Sequence, residues 1–351
     1  MSGRATGRRA IVTEPLQRLR NQRFLLAQRP QGEPGPDTWT YDEVSVTAPG
    51  EGEVLVRNAY VSVDPAMRGW MNAGKSYVPP VGIGDVMRAY AGGTVVASRH
   101  PDFAEGDTVT GVLGVQAYAV APGRALRAVD TAIAPLPVYL GVLGMTGMTA
   151  YFGMLDVGEH REGDVVVVSG AAGAVGSVAG QIAKIRGSFV VGIAGGPEKC
   201  RYVVDDLGFD ACIDYKSEDV RQRLAALCPG GVDLYFDNVG GTILDDVLTQ
   251  LALHARIVIC GAISQYNAGA VHGPVNYLQL LVMRATMRGM VIIDFADRYA
   301  EAAQAMGAWL AEGRLRHHED IVDGIEQFPD ALMRLFRGQN VGKLLLRLNP
   351  A

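Results

Sequence analysis

Cysteine is scarce in this sequence and never closely spaced: Cys200, Cys212, Cys228 and Cys260 are the four, and no Cys-x-x-Cys pair occurs. That excludes a disulfide framework and a zinc lobe, and leaves reduced, buried thiols as the expectation. Histidine is equally thin. His317 and His318 are adjacent, while His100, His160, His254 and His272 are scattered, so no ligand triad for a metal is visible. Positive charge is not in excess, 32 Lys and Arg standing against 37 Asp and Glu, and the net charge of -5 offers neither nucleic acid nor anionic lipid a general attraction. No apolar run has the length of a membrane span, and the opening MSGRATGRRAIV is basic but lacks a secretory apolar core. It reads as a frayed terminus, and a cytoplasmic location is the default expectation. Internal repeats and low-complexity tracts are missing too.

What is present is enough for a large core. A chain of 351 residues exceeds the size at which one core stops growing, so two lobes are expected. Up to about residue 140, short β-type runs alternate with turn signals: Glu53–Arg57, Gly93–Ser98, Asp107–Val112 and Tyr118–Val120. From Asp164 onward apolar runs alternate with helical segments, the pattern of βαβ units on a parallel sheet. The predicted strands there are Val165–Ser169, Phe189–Ile193, Ala211–Asp214, Val232–Asp237, Arg256–Cys260 and Met287–Ile293. A long helix over Phe295–Glu312, a helical segment Glu326–Gly338 and a last strand Lys343–Leu348 follow, the tail returning to the first lobe.

The run VVVVSGAAGAVG, residues 165 to 176, joins a buried strand to a helix through a turn of small residues. Ala171, Gly173 and Gly176 take the three places of a GxGxxG motif, where small residues leave room for a pyrophosphate and a helix N-terminus offers free N–H groups. About 20 residues on, an NAD site carries an acid that binds the ribose 2'-hydroxyl. Here the stretch reads Gly192-Ile193-Ala194-Gly195-Gly196, with Lys199 and Arg201 shortly after. The missing carboxylate favours NADPH, and Arg201 is read as a solvated helix residue.

Several motifs in register carry a family resemblance: residues 169 to 199, DYKS (214–217), FDNVGG (236–241), CGAISQYN (260–267), GKLLL (342–346), VSVDPAMRGWMN (61–72) and MTGMTAYFGMLD (145–156). Over nearly everything from about residue 20, the chain resembles the prostaglandin reductases and plant 2-alkenal double-bond reductases, zinc-independent members of the medium-chain dehydrogenase/reductase superfamily. The resemblance implies an α/β protein with a Rossmann doubly wound parallel sheet (141–317) and a GroES-like, mostly β substrate lobe (1–140 with 318–351). It also implies roles. Gly173, Ala174, Val175 and Gly176 would hold the pyrophosphate, and Lys199 with Tyr215 the 2'-phosphate. Asn238 would lie on the adenosine side. Cys260, Gly261, Ala262, Ile263, Ser264 and Tyr266 would line the nicotinamide side together with Met290, Val291 and Ile292. Asn340 would close over the cofactor, and Met145 and Thr149 would sit near the nicotinamide. A homodimer through the Rossmann lobe is implied as well.

The superfamily's zinc enzymes carry Cys and His-Glu ligands where this chain has Val61-Ser62-Val63-Asp64 and Arg88-Ala89-Tyr90, so no catalytic metal is expected. Without a Lewis acid the chemistry suits reduction of a C=C bond conjugated to a carbonyl, a small-molecule unsaturated ketone or aldehyde. Tyr266 is the candidate donor to the enolate oxygen. Tyr77 and Tyr60 are candidates for the substrate wall, Tyr77 more for packing than for chemistry, with Trp70 and Met71 as further apolar wall. Where the family often has Gly-Trp-Gln, this chain has Gly114-Val115-Gln116, and loss of the indole is expected to widen the pocket. Two alternatives stand beside this reading: a quinone reductase, and a non-catalytic NADPH-binding protein.

Overall fold

The computed structural model describes residues 16–348, so the basic opening segment lies outside the described residues. Seven strands come first: β1 (Arg20–Leu26), β2 (Trp39–Ser45), β3 (Glu53–Ser62), β4 (Tyr90–Ser98), β5 (Thr108–Val112), β6 (Tyr118–Pro122) and β7 (Arg127–Ala128). Six more follow: β8 (Val165–Ser169), β9 (Phe189–Ala194), β10 (Ala211–Asp214), β11 (Val232–Asp237), β12 (Leu251–Ile259) and β13 (Thr286–Gly289). The last two are β14 (Glu319–Asp323) and β15 (Lys343–Arg347).

The middle six form a parallel sheet in the order β10-β9-β8-β11-β12-β13, the doubly wound Rossmann arrangement. Its cause is legible in the strands. Val166 and Val168 point to one face with Val190 and Phe236, and pack on Val178 and Ile182 of the helix Gly176–Ile185. Val167, Val191, Ile213 and Tyr235 point to the other face, against Leu224, Leu244 and Val247. A strand buried on both faces needs a continuous apolar run, and each such side chain stabilises the fold by about 1.5–3 kcal/mol. Because strand order reverses between β8 and β11, their C-terminal ends open a crevice.

The first strands and the last build the other lobe. β15 returns to pair antiparallel with β3, Leu346 opposite Val61, giving a sheet β14-β15-β3-β4-β5-β7 to which β6 is added on β3. The helix Phe328–Phe336 covers this lobe's core with Phe328, Ala331, Leu332 and Leu335, the spacing of a single helical face.

Several elements depart from the sequence expectation. The strand predicted over Met287–Ile293 ends at Gly289, because Met290 N–H makes the last bond to Ile259 and Ile292 then turns inward within a 3-10 segment Ile292–Arg298. That segment also delays the long helix to Tyr299–Ala311. β12 starts at Leu251, five residues earlier than predicted, and carries a left-handed residue, His254 at φ 64. β1, β2 and β14 escape a search for apolar runs. β14, sequence EDIVD, is charged because it is an edge strand, and its order comes from pairing with β15.

A candidate cofactor and substrate cleft

The turn after β8 is built by exclusion of side chains. A Cβ on Gly176 would lie 2.3 Å from the Gly170 carbonyl oxygen, and one on Gly173 would lie 3.2 Å from the same atom. The helix can therefore start directly under the strand, and among the described residues the N–H groups of Ala174 and Val175 donate to no protein acceptor. Such a helix N-terminus presents donors to an anion. The neighbouring strand end is locked to it. Ser169 donates its hydroxyl to the buried Asp237 carboxylate at 2.9 Å, and the Asn238 amide donates to the Ser169 carbonyl at 2.7 Å. Asn238 lines the cleft, with that amide engaged in holding β8 to β11.

At the end of β9 no carboxylate reaches the cleft. Asp214, on β10, accepts from Gly196 N–H at 2.7 Å, from Lys216 N–H and from Ser217, bonds that hold its carboxyl below the usual range, Gly196 first. Lys199 Nζ donates to the Gly338 carbonyl at 2.9 Å. Burial lowers its pKa, with Lys216 adding to the effect. Tyr215 and Lys216 close over Gly195, whose added Cβ would lie 2.9 Å from the Tyr215 ring. Gly342 N–H bonds to Ala172 at 2.8 Å and Asn340 braces the Gly342 carbonyl, so the segment before β15 covers the glycine turn. Open N–H groups, no acid and a cation bonded only to a neutral carbonyl fit a dinucleotide bearing a 2'-phosphate. Arg337 lines this end as well and was missed by motif reading, since nothing in the sequence brings it near Lys199. Arg201 is exposed and outside the lining.

Tyr266 follows a single 3-10 turn, Ile263–Gln265, that returns its hydroxyl to the chain it came from. The phenol oxygen accepts Ala262 N–H at 3.2 Å, and a Cβ on Gly261 would come within 3.1 Å of it. With its acceptor side engaged by the backbone, the O–H is left to donate. Burial raises the phenol's pKa, against the lowering influence of Ala262 N–H, so it stays protonated at neutral pH. Cys260, at the end of β12, is pushed up to about 12 by burial and by Asp237, and is an unreactive thiol.

These groups share one cleft of about 1250 Å3. Its lining includes Gly173, Ala174, Val175, Gly176, Lys199, Tyr215, Asn238 and Asn340, together with Met145, Thr149, Cys260, Gly261, Ile263, Ser264, Tyr266, Met290, Val291, Ile292 and Tyr77. Ala262 contributes through its N–H to Tyr266 rather than as wall. Tyr77 is 54% exposed and accepts from Trp70 Nε1 at 3.2 Å, so it stands at the mouth instead of packing in a core. Tyr60 is outside the lining: strand alternation turns it away from the face of Val61, and it sits opposite Arg347. Met71 is likewise buried in the first lobe's core. Gly114-Val115-Gln116 does not line the cleft either, Val115 being fully buried. Sequence reasoning missed Arg88 and Arg127, which lie over the Trp70 and Tyr299 rings at 5.7 Å and line the mouth.

Where the zinc enzymes place their ligands, Asp64 accepts Lys343 Nζ at 2.8 Å and the Ser62 hydroxyl, all of them buried. Among the described residues no group of three or more His, Cys, Asp or Glu could hold a metal, and no helix is long and apolar enough to cross a membrane.

Known proteins share this architecture. A family model described as the N-terminal domain of oxidoreductase matches residues 22–129, and one described as zinc-binding dehydrogenase matches residues 174–308. The NADPH-dependent curcumin reductase of Escherichia coli is 43% identical over 338 residues, 95% of this chain and 98% of that protein. The NADP(+)-dependent 2-alkenal reductase of Nicotiana tabacum is 38% identical over 303 residues, 86% of this chain and 88% of that protein. The crystal structure of CurA from Vibrio vulnificus in complex with NADPH superposes with a TM-score of 0.89 at 43% identity, covering 94% of this chain and 100% of that one. Matched across both lobes and along nearly its whole length, the chain belongs to the medium-chain dehydrogenase/reductase family of oxidoreductases.

Proposed function

We propose that this oxidoreductase reduces the C=C bond of α,β-unsaturated ketones or aldehydes with NADPH, and the observation that carries the reading is the Tyr266 hydroxyl, seated by Ala262 N–H and facing the cleft. When bound, NADPH supplies a hydride, which goes to the β-carbon of the substrate. The chain's own residues do the rest. The turn from Gly173 to Gly176 holds the pyrophosphate, and Lys199 with Tyr215 takes the 2'-phosphate. Tyr266 donates to the carbonyl oxygen, on which negative charge grows as an enolate, and a donor already held in place stabilises that charge more than water, which must reorganise, would. The α-carbon then takes a proton from water or from the phenol. The reading routes no step through a metal: Asp64 is engaged by Lys343 and Ser62, and among the described residues no group of three or more His, Cys, Asp or Glu could hold one.

The test mixes metal-stripped protein with NADPH and a panel of enones, enals and quinones, following loss of NADPH absorbance and identifying products by mass spectrometry. Saturated carbonyl products are expected. Turnover of quinones alone would sink the reaction assignment, and binding without any turnover would favour a non-catalytic NADPH-binding role.

The same reading includes a homodimer. β13 is an open edge of the parallel sheet, and beside it Val275, Leu278, Leu281 and Val282 are exposed, Leu281 at 75%. A contiguous apolar face next to an unpaired strand edge is what a second copy covers. Wild-type protein is expected to sediment as a dimer and Leu281→Glu as a monomer with unchanged circular dichroism; a monomeric wild type rejects the assembly.

A further inference from the structure

Two of the four cysteines meet. Cys200 lies on the helix Pro197–Arg201, directly after Lys199, and Cys212 lies on β10. The Cys212 thiol points at the Cys200 sulfur at 3.2 Å, although 12 residues separate them. Parallel pairing sets Cys212 opposite Gly192 of β9, where no side chain intervenes. Both cysteines are only half-buried, whereas Cys228 is 2% exposed.

We propose that Cys200 and Cys212 are an oxidisable pair which a hydroperoxide converts to an intrachain disulfide, moving the helix that carries Lys199 and weakening NADPH binding. The coupling rests on the reading of Lys199 as the 2'-phosphate ligand. Because Cys212 donates to Cys200, negative charge is favoured on the Cys200 sulfur, which attacks the peroxide. The O–O bond breaks, and Cys200 becomes a sulfenic acid. The Cys212 sulfur then attacks the Cys200 sulfur, the S–S bond forms, the S–O bond breaks, and the oxygen leaves as water with the thiol proton. Overall the two thiols lose two electrons and two protons, and the peroxide is reduced to water and an alcohol, or to two waters for hydrogen peroxide.

Burial holds both thiols above their ordinary range, so the first step is slow at neutral pH and quickens as pH rises. Lack of thiolate stabilisation in the reduced form also favours the disulfide once made. A disulfide bond is about 2.05 Å long, so the sulfurs must close by roughly 1 Å. Movement falls on the first turn of the helix rather than on the strand, since the helix enters through Gly196 at φ 97, while beyond Arg201 it continues as a π-helical turn to Asp206 anchored by the buried Val203. Its movement reaches Lys199, the residue before Cys200, whose ammonium is set against Gly338.

Full-length protein would be treated with hydrogen peroxide, freed of oxidant, alkylated and mapped by mass spectrometry. Expected are a Cys200–Cys212 linked peptide two hydrogens lighter than the reduced pair, alkylated Cys228 and Cys260, and reversal by dithiothreitol. NADPH affinity of the oxidised form should fall about tenfold, the effect of one charge-assisted hydrogen bond, with NADH unaffected. Cys200→Ser and Cys212→Ala should bind NADPH as wild type, and after peroxide neither should give the linked peptide or lose NADPH affinity, Cys212→Ala stopping at an oxidised Cys200. Full alkylation of both thiols after treatment, or separate sulfinic acids, overturns the pair. A cross-link that leaves NADPH affinity unchanged overturns the coupling. If Lys199→Ala also leaves that affinity unchanged, the fault lies in the phosphate reading.

Discussion

Tyr266→Phe is expected to lower kcat for an enone by about 10²–10³-fold, the usual loss on removing one oxyanion donor, while NADPH affinity stays close to wild type. The asymmetry follows from where the hydroxyl sits. The ring is held half-buried by the turn Ile263–Gln265, and the substitution keeps it. Only the O–H is lost, and with it the partner of Ala262 N–H, which the open cleft can hydrate. Charge on the carbonyl oxygen exists only as hydride arrives, so the loss belongs to turnover and not to cofactor affinity. Steady-state kinetics with direct NADPH titration separate the two. Unchanged kcat would make Tyr266 a wall residue, and equal losses in kcat and NADPH affinity would make it a cofactor support.

Lys199→Ala is expected to weaken NADPH by about 10–100-fold and NADH hardly at all, the range corresponding to a hydrogen bond to a charged group. Lys199 is half-buried, is depressed by that burial and by Lys216, and has only the Gly338 carbonyl as hydrogen-bond partner among the described residues. A cation so placed gains when a 2'-phosphate arrives. Losing it costs nothing to a cofactor lacking that phosphate. Fluorescence titration with both cofactors decides the matter, and equal losses would show that Lys199 braces the segment before β15 instead of reading the phosphate.

Much of this was open to reading in one dimension because the parallel sheet writes its burial locally. Val165 to Ser169 is apolar since both faces are covered, and the glycine turn declares itself because a Cβ at Gly176 would strike the Gly170 carbonyl. The absence of an acid at the end of β9 is also a local fact, and it points to NADPH by itself. Edge strands defeat the same method. β14 is charged, and β13 is cut short by the inward turn of Ile292, so their limits depend on neighbours rather than on their own residues.

Sequence alone therefore determined the two-lobed architecture and the cofactor preference, and it put forward the turn from Gly173 to Gly176 and Tyr266 as candidates, all carried by contiguous motifs. Tertiary structure decided which distant residues meet. It brought Gly338 and Gly342 over Lys199 and Ala172, set Lys343 against Asp64, turned Tyr60 out of the cleft, placed Arg88 and Arg127 at its mouth and put Cys200 beside Cys212. The physical reason is that these contacts arise when whole elements pack: closing the chain ends onto β3 and winding β10 beside β9 create them, and no local pattern records where a packed side chain finds its partner.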